Sequence, residues 1–414
     1  MRILFVTQYY IPETGAPQNR LSGLAKELIE LGVEVEVLTA MPNYPRMEIF
    51  DSFRKNFSLT EMVKGVKVHR AWIYVSKSRS IFSRLLNYFS FTATSYMIAG
   101  KAKGRFDFVF CESPPLFLGM SAQRIARRKK AKLIFNVSDL WPESAEKLGL
   151  VTNRLLLKMA YRLEASLYRK SVLVTGQTQG ICRDIEKRFP TVKTHWLPNG
   201  IDPGRFSGSI SSSWRGDNKF NSGDFILLYA GIIGYAQGLD IVLLAAEKLK
   251  TLSEIKFVLV GDGPEKERLL QRAQSMKLSN VFFFDSVSGS VMPQVIEASN
   301  AALIPLRKLE LFKGAIPSKI FENLAMKKPV LLGVEGEAKE LFIDDGRCGL
   351  FFQPEDHNDL AEKILKLKSN PQLTVEMGNN GCEYVYRFFN RKIIAVDFLE
   401  KLNEISNTCL KTNA

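Results

Sequence analysis

Apolar runs of strand length recur along the chain with helical patterns between them. RILFVT, VEVEVLT, FDFVFC, KLIFNV and SVLVTG are rich in Val, Ile, Leu and Phe, and each is stopped by Gly, Pro, Ser or Asp. That alternation predicts a parallel sheet covered by helices on both faces. Between Ala16 and Leu31 the apolar positions Leu21, Leu24, Ala25, Leu28 and Leu31 share one helical face, and Gly32 ends the run. The alternation restarts at FILLYAG and continues through a helix from Leu239 to Leu249, KFVLVGDG, a helix after Pro264, VFFFD, a helix from Val291 to Ala298, AALIPL, a helix at Ser318, and PVLLG. Between the two series lie the turn-rich LPNGIDPGRF and the aperiodic, polar SGSISSSWRGDNKFNSGD. The pattern therefore predicts an α/β chain of two Rossmann-like domains, residues 1–198 and 199–386. A helical tail runs from Asp359 to Asn407, and its last helix, about 387–414, is expected to return to the first domain.

Composition narrows the partners. A chain of 414 residues exceeds what one hydrophobic core usually supports, in keeping with two domains. The net charge of +14 calls for an anionic partner: nucleic acid, an acidic membrane surface or a phosphorylated substrate. Cations are densest in RIARRKKAK, Arg124 to Lys132, with more in KVHRAWIYVSKSRSIFSR, Lys67 to Arg84. A run such as RRKK equally suits a solvated helix C-terminus. The basic residues are not interleaved with aromatics as in a nucleic-acid module, so no nucleic acid is expected. MRILFVTQYYIPE breaks at Pro12, too early for a secretory leader or a membrane span, and reads as a first core strand. Five scattered cysteines without CxxC pairs suit a reducing cytoplasm, and His69, His195 and His357 show no metal-ligand spacing.

The densest chemistry lies in LFKGAIPSKIFENLAMKKPV, Leu311 to Val330. Pro317 suits a first helical position, which leaves the N–H groups of Ser318 and Lys319 for an anion. Lys313 and Lys319 flank the helix start, and Glu322 one turn inside suits ribose hydroxyls. Ligands of open α/β sheets bind at the C-terminal ends of the strands. Four loops of the second domain follow strands there: AGIIGYAQG with Gly234 and Gln237, GDGP with Asp262 and Gly263, FDSVSG with Ser286 and Val287, and KGAIPSK, with Arg307 close by. In the first domain, PETGAPQNR offers Gly15 and Ala16 at a strand-to-helix turn, with Arg20 one turn inside. NVSDLWPES sets Asp139, Trp141 and Glu143 after a buried strand, where they suit a sugar acceptor; the alternative is Asp139 as a helix cap with Trp141 in the core.

LPNGID, LVGDGPE, PSKIFENLAMKKPV and GEAKELFIDDGRCGLFF together resemble glycosyltransferase family 4. MPNYP (Met41 to Pro45), SPPLF (Ser113 to Phe117), DLWPES (Asp139 to Ser144), the AQGLD loop (Ala230 to Asp240) and PSK (Pro317 to Lys319) are similar to the bacterial O-antigen, capsule and exopolysaccharide branch. The resemblance implies the GT-B fold, with the two domains facing across a cleft. It further implies retaining transfer of a hexose, N-acetylated or deoxy-amino, from a UDP-sugar to an undecaprenyl diphosphate-linked saccharide, without a metal or other cofactor. Asp139, Lys313 and Lys319 become the expected catalytic groups; Tyr44, Arg20, Trp141 and Glu143 the expected acceptor contacts. Two departures matter. Gly314 stands where many members carry the first of two glutamates, and Ile232 or Ile233 and Gln237 stand where an arginine and a lysine commonly hold the diphosphate. Lys313, Lys319 and then Arg307 are expected to compensate.

IFSRLLNYFSFTATSYMIAGKAKGR, Ile81 to Arg105, carries the apolar stripe Ile81, Phe82, Leu85, Leu86 and Phe89, with Arg79, Arg84, Lys101, Lys103 and Arg105 at its ends. It suits both an interfacial helix on an anionic leaflet and a core-facing helix of the first sheet. A UDP-sugar 2-epimerase and a non-catalytic transferase subunit remain as alternative functions.

Overall fold

A computed structural model describes residues 1–411 apart from 14, 45–46, 79, 148, 150 and 207–212. Pro45, Arg79, the 207–212 part of the polar linker and the side chains of Ile81 and Cys409 lie outside the described residues. The chain divides into two compact units, Met1–Asn199 with Arg391–Ala414, and Gly200–Asn390.

The first unit is built on strands β1 (Arg2–Val6), β2 (Glu34–Ala40), β3 (Ser58–Val63), β4 (Val66–Ala71), β5 (Phe108–Ser113), β6 (Lys132–Val137), β7 (Leu173–Gly176) and β8 (Thr194–Trp196). Among the described residues they form one sheet in the order β3-β4-β2-β1-β5-β6-β7-β8, parallel except for β3. Alternation along β1 explains the layers. Ile3 and Phe5 face helix α1 (Ala16–Glu30) and the Arg391–Lys411 helix through Leu21, Leu28, Ala395 and Phe398, whereas Leu4 and Val6 join the opposite core with Phe91, Leu118 and Ile125. The chain turns from β1 to β2 on one side, and β5 lies on the other. That is the topological switch point, and the loops after β1, β5 and β6 share its edge.

The β3–β4 hairpin corrects the reading of Lys67 to Arg84 as part of a cationic surface. His69 and Arg70 are buried on β4: His69 Nε2 lies 2.8 Å from Glu36, and Arg70 pairs with Glu61 and donates to the Ile11 carbonyl at 2.7 Å. Their charge serves the sheet.

Helix α2 (Ile81–Ile98) is amphipathic in the reverse sense. Its inward face is largely polar, and each group finds a partner: Asn87 donates to the Tyr74 carbonyl at 2.6 Å, Thr94 to Trp72 at 2.6 Å, and Ser95 meets Ser121 at 2.7 Å. Its outward positions Phe82, Leu86, Phe89, Ala93, Tyr96 and Met97 recur at helical spacing, and Phe82 keeps 72% and Met97 65% of its surface exposed. Leu85 is half-buried, so the expected stripe runs instead along the helix to its end. Among the described residues, no helix is long and apolar enough to cross a membrane.

The second unit holds β9 (Phe225–Ala230), β10 (Ile255–Val260), β11 (Val281–Phe284), β12 (Ala301–Pro305), β13 (Val330–Gly333) and β14 (Gly349–Phe351). They pair in the order β11-β10-β9-β12-β13-β14, all parallel. Leu227, Leu259, Leu303 and Leu331 supply a continuous core across the sheet. The switch point falls between β9 and β12.

Candidate active site

At the switch point of the second unit the loops after β9 and β10 lie backbone against backbone. Gly261 and Gly263 adopt φ of +151° and +154°; a Cβ on either would collide with the carbonyl oxygens of Gly231 and Ile233. Only glycine permits that approach. Ile233 N–H donates to the Asp262 carbonyl at 2.9 Å, and the Asp262 carboxylate accepts its neighbour Gly263 N–H at 2.7 Å. Asp262 and Gly263 thus shape the floor of the loop. Gln237 accepts the Gly234 N–H at 3.2 Å and closes the turn with it. Arg307 Cζ lies over the Tyr235 ring, 3.8 Å from its centre, and its Nε–H donates to the Tyr235 carbonyl at 2.8 Å. Ser286 and Val287 follow β11, an edge strand that β10 separates from β9, with Ser286 exposed.

Lys319 brings the cation closest to this floor. Its Nζ sits 3.8 Å from the centre of the Tyr229 ring, and a Cβ on Gly231 would lie 3.1 Å from it. The residue keeps some solvent contact, but its Nζ is enclosed and has no carboxylate partner among the described residues. Burial alone pushes its ammonium down to about 7. Lys313, by contrast, is exposed and lies 2.8 Å from Glu310 and 3.8 Å from Glu335, which raise its pKa and already balance its charge. The helix here is Lys319–Ala325, so Pro317 stands two residues before it and not at its first position; its carbonyl accepts Ile320 N–H at 3.1 Å. The cause is the extended approach 315–317, from which the chain turns only at Ser318, whose side chain makes no cap. Glu322 is on the same helix face as Lys319, three residues on, and lies 3.5 Å from Arg205 Nη1. Arg205 went unnoticed in the sequence because its turn, Pro203–Phe206, looked like a linker.

In the first unit, Gly15 precedes α1 in extended conformation and no side chain caps the helix, so the N–H of Ala16 has no helical partner. Arg20 turns inward. Its guanidinium is buried, 2.5 Å from Glu112 and 2.7 Å from Ser138; Glu112 also accepts from Asn136 at 2.7 Å. A charge so far from water needs that partner. Asp139 is half-buried after β6 and accepts from Ser144 Oγ at 2.9 Å, and burial raises its pKa. Trp141 meets Phe117 edge-on at 5.4 Å, and Phe117 in turn meets Phe89 of α2 at 4.6 Å. Glu143 lies 2.6 Å from Lys147. Tyr44 donates its N–H at 2.9 Å to Glu13, a buried carboxyl that also accepts from Tyr10 and Asn43; burial pushes Glu13 up to about 7. Glu13 went unnoticed in the sequence because attention fell on Gly15 and Ala16 of the same turn. Among the described residues, no three His, Cys, Asp or Glu side chains are grouped to hold a metal ion.

Both halves match described families. Residues 15–200 match the glycosyl transferase 4-like domain, and residues 211–384 match glycosyl transferases group 1. The chain is a glycosyltransferase of the GT-B fold. It is 26% identical over 335 residues to glycosyl transferase WcaI of Escherichia coli K12, named for colanic acid biosynthesis, across 79% of this chain and 81% of that one. Similar solved structures include sucrose-phosphate synthase from Thermosynechococcus elongatus, with a TM-score of 0.75 at 16% identity over 98% of this chain and 99% of that one. Anabaena HepE, crystallised with UDP and glucose, gives 0.73 at 18% identity over 98% and 100%.

In this glycosyltransferase the second unit sets Lys319, a cation with no carboxylate partner among the described residues, one helical turn from a carboxylate, Glu322. Opposite charges at that spacing suit a ligand that carries an anionic group and hydroxyl donors within a few ångströms of one another. The first unit offers a carboxyl, Asp139, two residues before Trp141 in the loop after β6, a pairing of residue types suited to a sugar hydroxyl and the apolar face of its ring.

Proposed function

We propose that this glycosyltransferase moves a hexose, N-acetylated or deoxy-amino, from a UDP-sugar to an undecaprenyl diphosphate-linked saccharide during bacterial surface polysaccharide synthesis, with retention at the anomeric carbon. The observation that carries the donor side is Lys319, enclosed at the β9/β12 switch point with no counter-ion among the described residues. A diphosphate supplies that charge. Breaking the anomeric bond concentrates negative charge on the departing diphosphate, so a fixed ammonium favours the transition state over the ground state. Lys319 takes this role first, with Arg307 holding the neighbouring turn and Glu322 receiving the ribose hydroxyls. Lys313 joins it only if the diphosphate displaces Glu310 and Glu335 from its ammonium. The leaving phosphate oxygen accepts the acceptor's proton on the same face, and Asp139 orients the acceptor. Protein cations serve where other transferases use a metal.

The name of the Escherichia coli relative and the UDP in the Anabaena crystals support the pathway and the nucleotide. The exposed apolar stripe of α2 supports the lipid-linked acceptor and a peripheral position on the inner face of the cytoplasmic membrane. The test is a panel of nucleotide sugars incubated with the enzyme and membrane lipids in the presence of a chelator. Release of UDP with transfer to the lipid fraction and an unchanged anomeric configuration is the expected result. Preference for a GDP- or ADP-sugar, inversion, or loss of turnover with the chelator would each overturn the corresponding element.

A further inference from the structure

Arg205 lies outside the loops expected to hold the donor, yet its guanidinium joins two of the elements they belong to. Its Nη2 donates to the Gly289 carbonyl at 2.7 Å, and its Nη1 lies 3.5 Å from Glu322 Oε1. Gly289 sits in the largely exposed segment 285–290 after β11, whereas Glu322 belongs to the Lys319–Ala325 helix, which follows β12. In the sheet β10 and β9 stand between those strands, a separation of about 14 Å at the usual strand spacing. The segment and the helix therefore converge over the strand ends, within the reach of one side chain.

The base of that side chain is fixed. Ile201 N–H donates to the Phe389 carbonyl at 2.9 Å, the Asp202 carboxylate accepts the Gly204 N–H at 3.0 Å, and Arg205 N–H closes the turn on the Asp202 carbonyl at 3.1 Å. Phe206 is buried beside it, with Arg205 Cζ 5.3 Å from the ring centre. At the far end the Ser288 carbonyl accepts the N–H groups of Val291 and Met292 at 3.0 and 3.1 Å, so Gly289 lies in a formed turn.

Glu322 takes its order from this contact. Lys319, on the same helix face, turns its Nζ to the Tyr229 ring, and Arg205 is the one ion-pair partner of Glu322 among the described residues. Glu322 is half-buried on a side chain with several rotatable bonds, and left alone it would sample several directions. Two neighbouring hydroxyls that donate to one carboxylate need a single direction. A cation against Oε1 supplies it and leaves Oε2 to accept, and the planar fork of arginine can hold the carboxylate and the Gly289 carbonyl together. We propose that Arg205 is a positioning residue for the nucleotide, aiming Glu322 at the ribose hydroxyls and tying it to the segment after β11. Selection for an intact ribose then depends on a side chain that does not touch it. The proposal rests on the reading of Glu322 as the ribose acceptor given above.

Titration calorimetry of the full-length protein with UDP and with 2′,3′-dideoxy-UDP tests it, near pH 6, where Lys319 is charged. The terminal phosphate that both nucleotides share cancels in the ratio. The native chain should favour UDP by about tenfold or more, the loss expected when hydrogen bonds to a charged group go unmade. Arg205→Met should bring the two affinities within about threefold by weakening UDP alone, and Arg205→Gln should do the same, which keeps the test open if the methionine variant folds poorly. Adding Glu322→Ala to either should cost UDP no more than Glu322→Ala does by itself, because the two side chains act as one unit. A UDP preference that survives the Arg205 variants but disappears in Glu322→Ala overturns the positioning role and keeps the ribose reading. A native chain without the preference, or a preference that survives Glu322→Ala, overturns the ribose reading and the proposal with it. Equal weakening of both nucleotides by the Arg205 variants also overturns the proposal, since Arg205 would then contact a part they share or serve the fold alone.

Discussion

Replacing Lys319 by arginine should abolish a pH dependence of donor binding that the native chain carries. The native ammonium is held down to about 7 by burial without a counter-ion. A diphosphate against Nζ favours the charged form and lifts the pKa in the complex, so donor binding takes up a proton. Affinity is then complete below 7 and falls as pH rises through it. With a pKa of 7, about nine-tenths of the side chain is charged near pH 6 and about one-tenth near pH 8. If the donor engages only the charged form, the apparent Kd rises about tenfold across that window. Titration calorimetry with the UDP-sugar selected by the donor panel measures it, in two buffers of different ionisation heat to count the proton. A UDP-sugar is the right probe because its diphosphate has no group that titrates there, whereas the terminal phosphate of UDP does. The arginine variant stays charged throughout and should give a flat profile. A native Kd constant within about twofold from pH 6 to pH 8, with no proton uptake, would refute the placement of the diphosphate on Lys319.

Three further outcomes follow from the packing. Gly261→Ala should cost the second unit at least about 2 kcal/mol in denaturant unfolding, because its Cβ would overlap the Gly231 carbonyl, while Gly314→Ala, which meets nothing within 4 Å, should change stability by less than about 0.5 kcal/mol. Arg20→Met should cost the first unit about 3–5 kcal/mol by stranding Glu112, and adding Glu112→Leu should recover most of it; a small stability loss with large loss of acceptor use would instead assign Arg20 to the acceptor site. Glu13 has a folded pKa raised to about 7, so its contribution to stability is full below its unfolded pKa and is lost as pH rises from about 4.5 to about 7, on the order of 3 kcal/mol in total. Glu13→Gln should flatten that slope in urea titrations of the first unit.

The two-sheet α/β class was legible because buried parallel strands are nearly continuous apolar runs, and RILFVT, KFVLVGDG and PVLLG announce themselves on that basis. The β3–β4 hairpin was not, since Lys67, His69 and Arg70 look like solvent-facing charge until Glu36 and Glu61 arrive from other strands. Helix α2 shows the same difficulty reversed. Its apolar residues suited a membrane-facing and a core-facing stripe alike; hydrogen bonds to Tyr74, Trp72 and Ser121 draw its polar residues inward and leave Phe82 and Met97 outside. At the candidate site, residue type was readable and direction was not. Arg20 and Lys319 both lie in the first turns of helices beside a strand end, yet one is buried against a carboxylate and the other has none among the described residues. Spacing along a chain does not carry that distinction, because it depends on what the neighbouring strand, here Glu112 or Tyr229, places opposite.

The most direct measurement is a crystal structure of the full chain with UDP bound. The diphosphate should lie within hydrogen-bond reach of Lys319 Nζ above the Gly231 turn, with the ribose hydroxyls on Glu322. Nucleotide bound away from the loops after β9 and β12, or a Lys319 that turns from the phosphates, would contradict it.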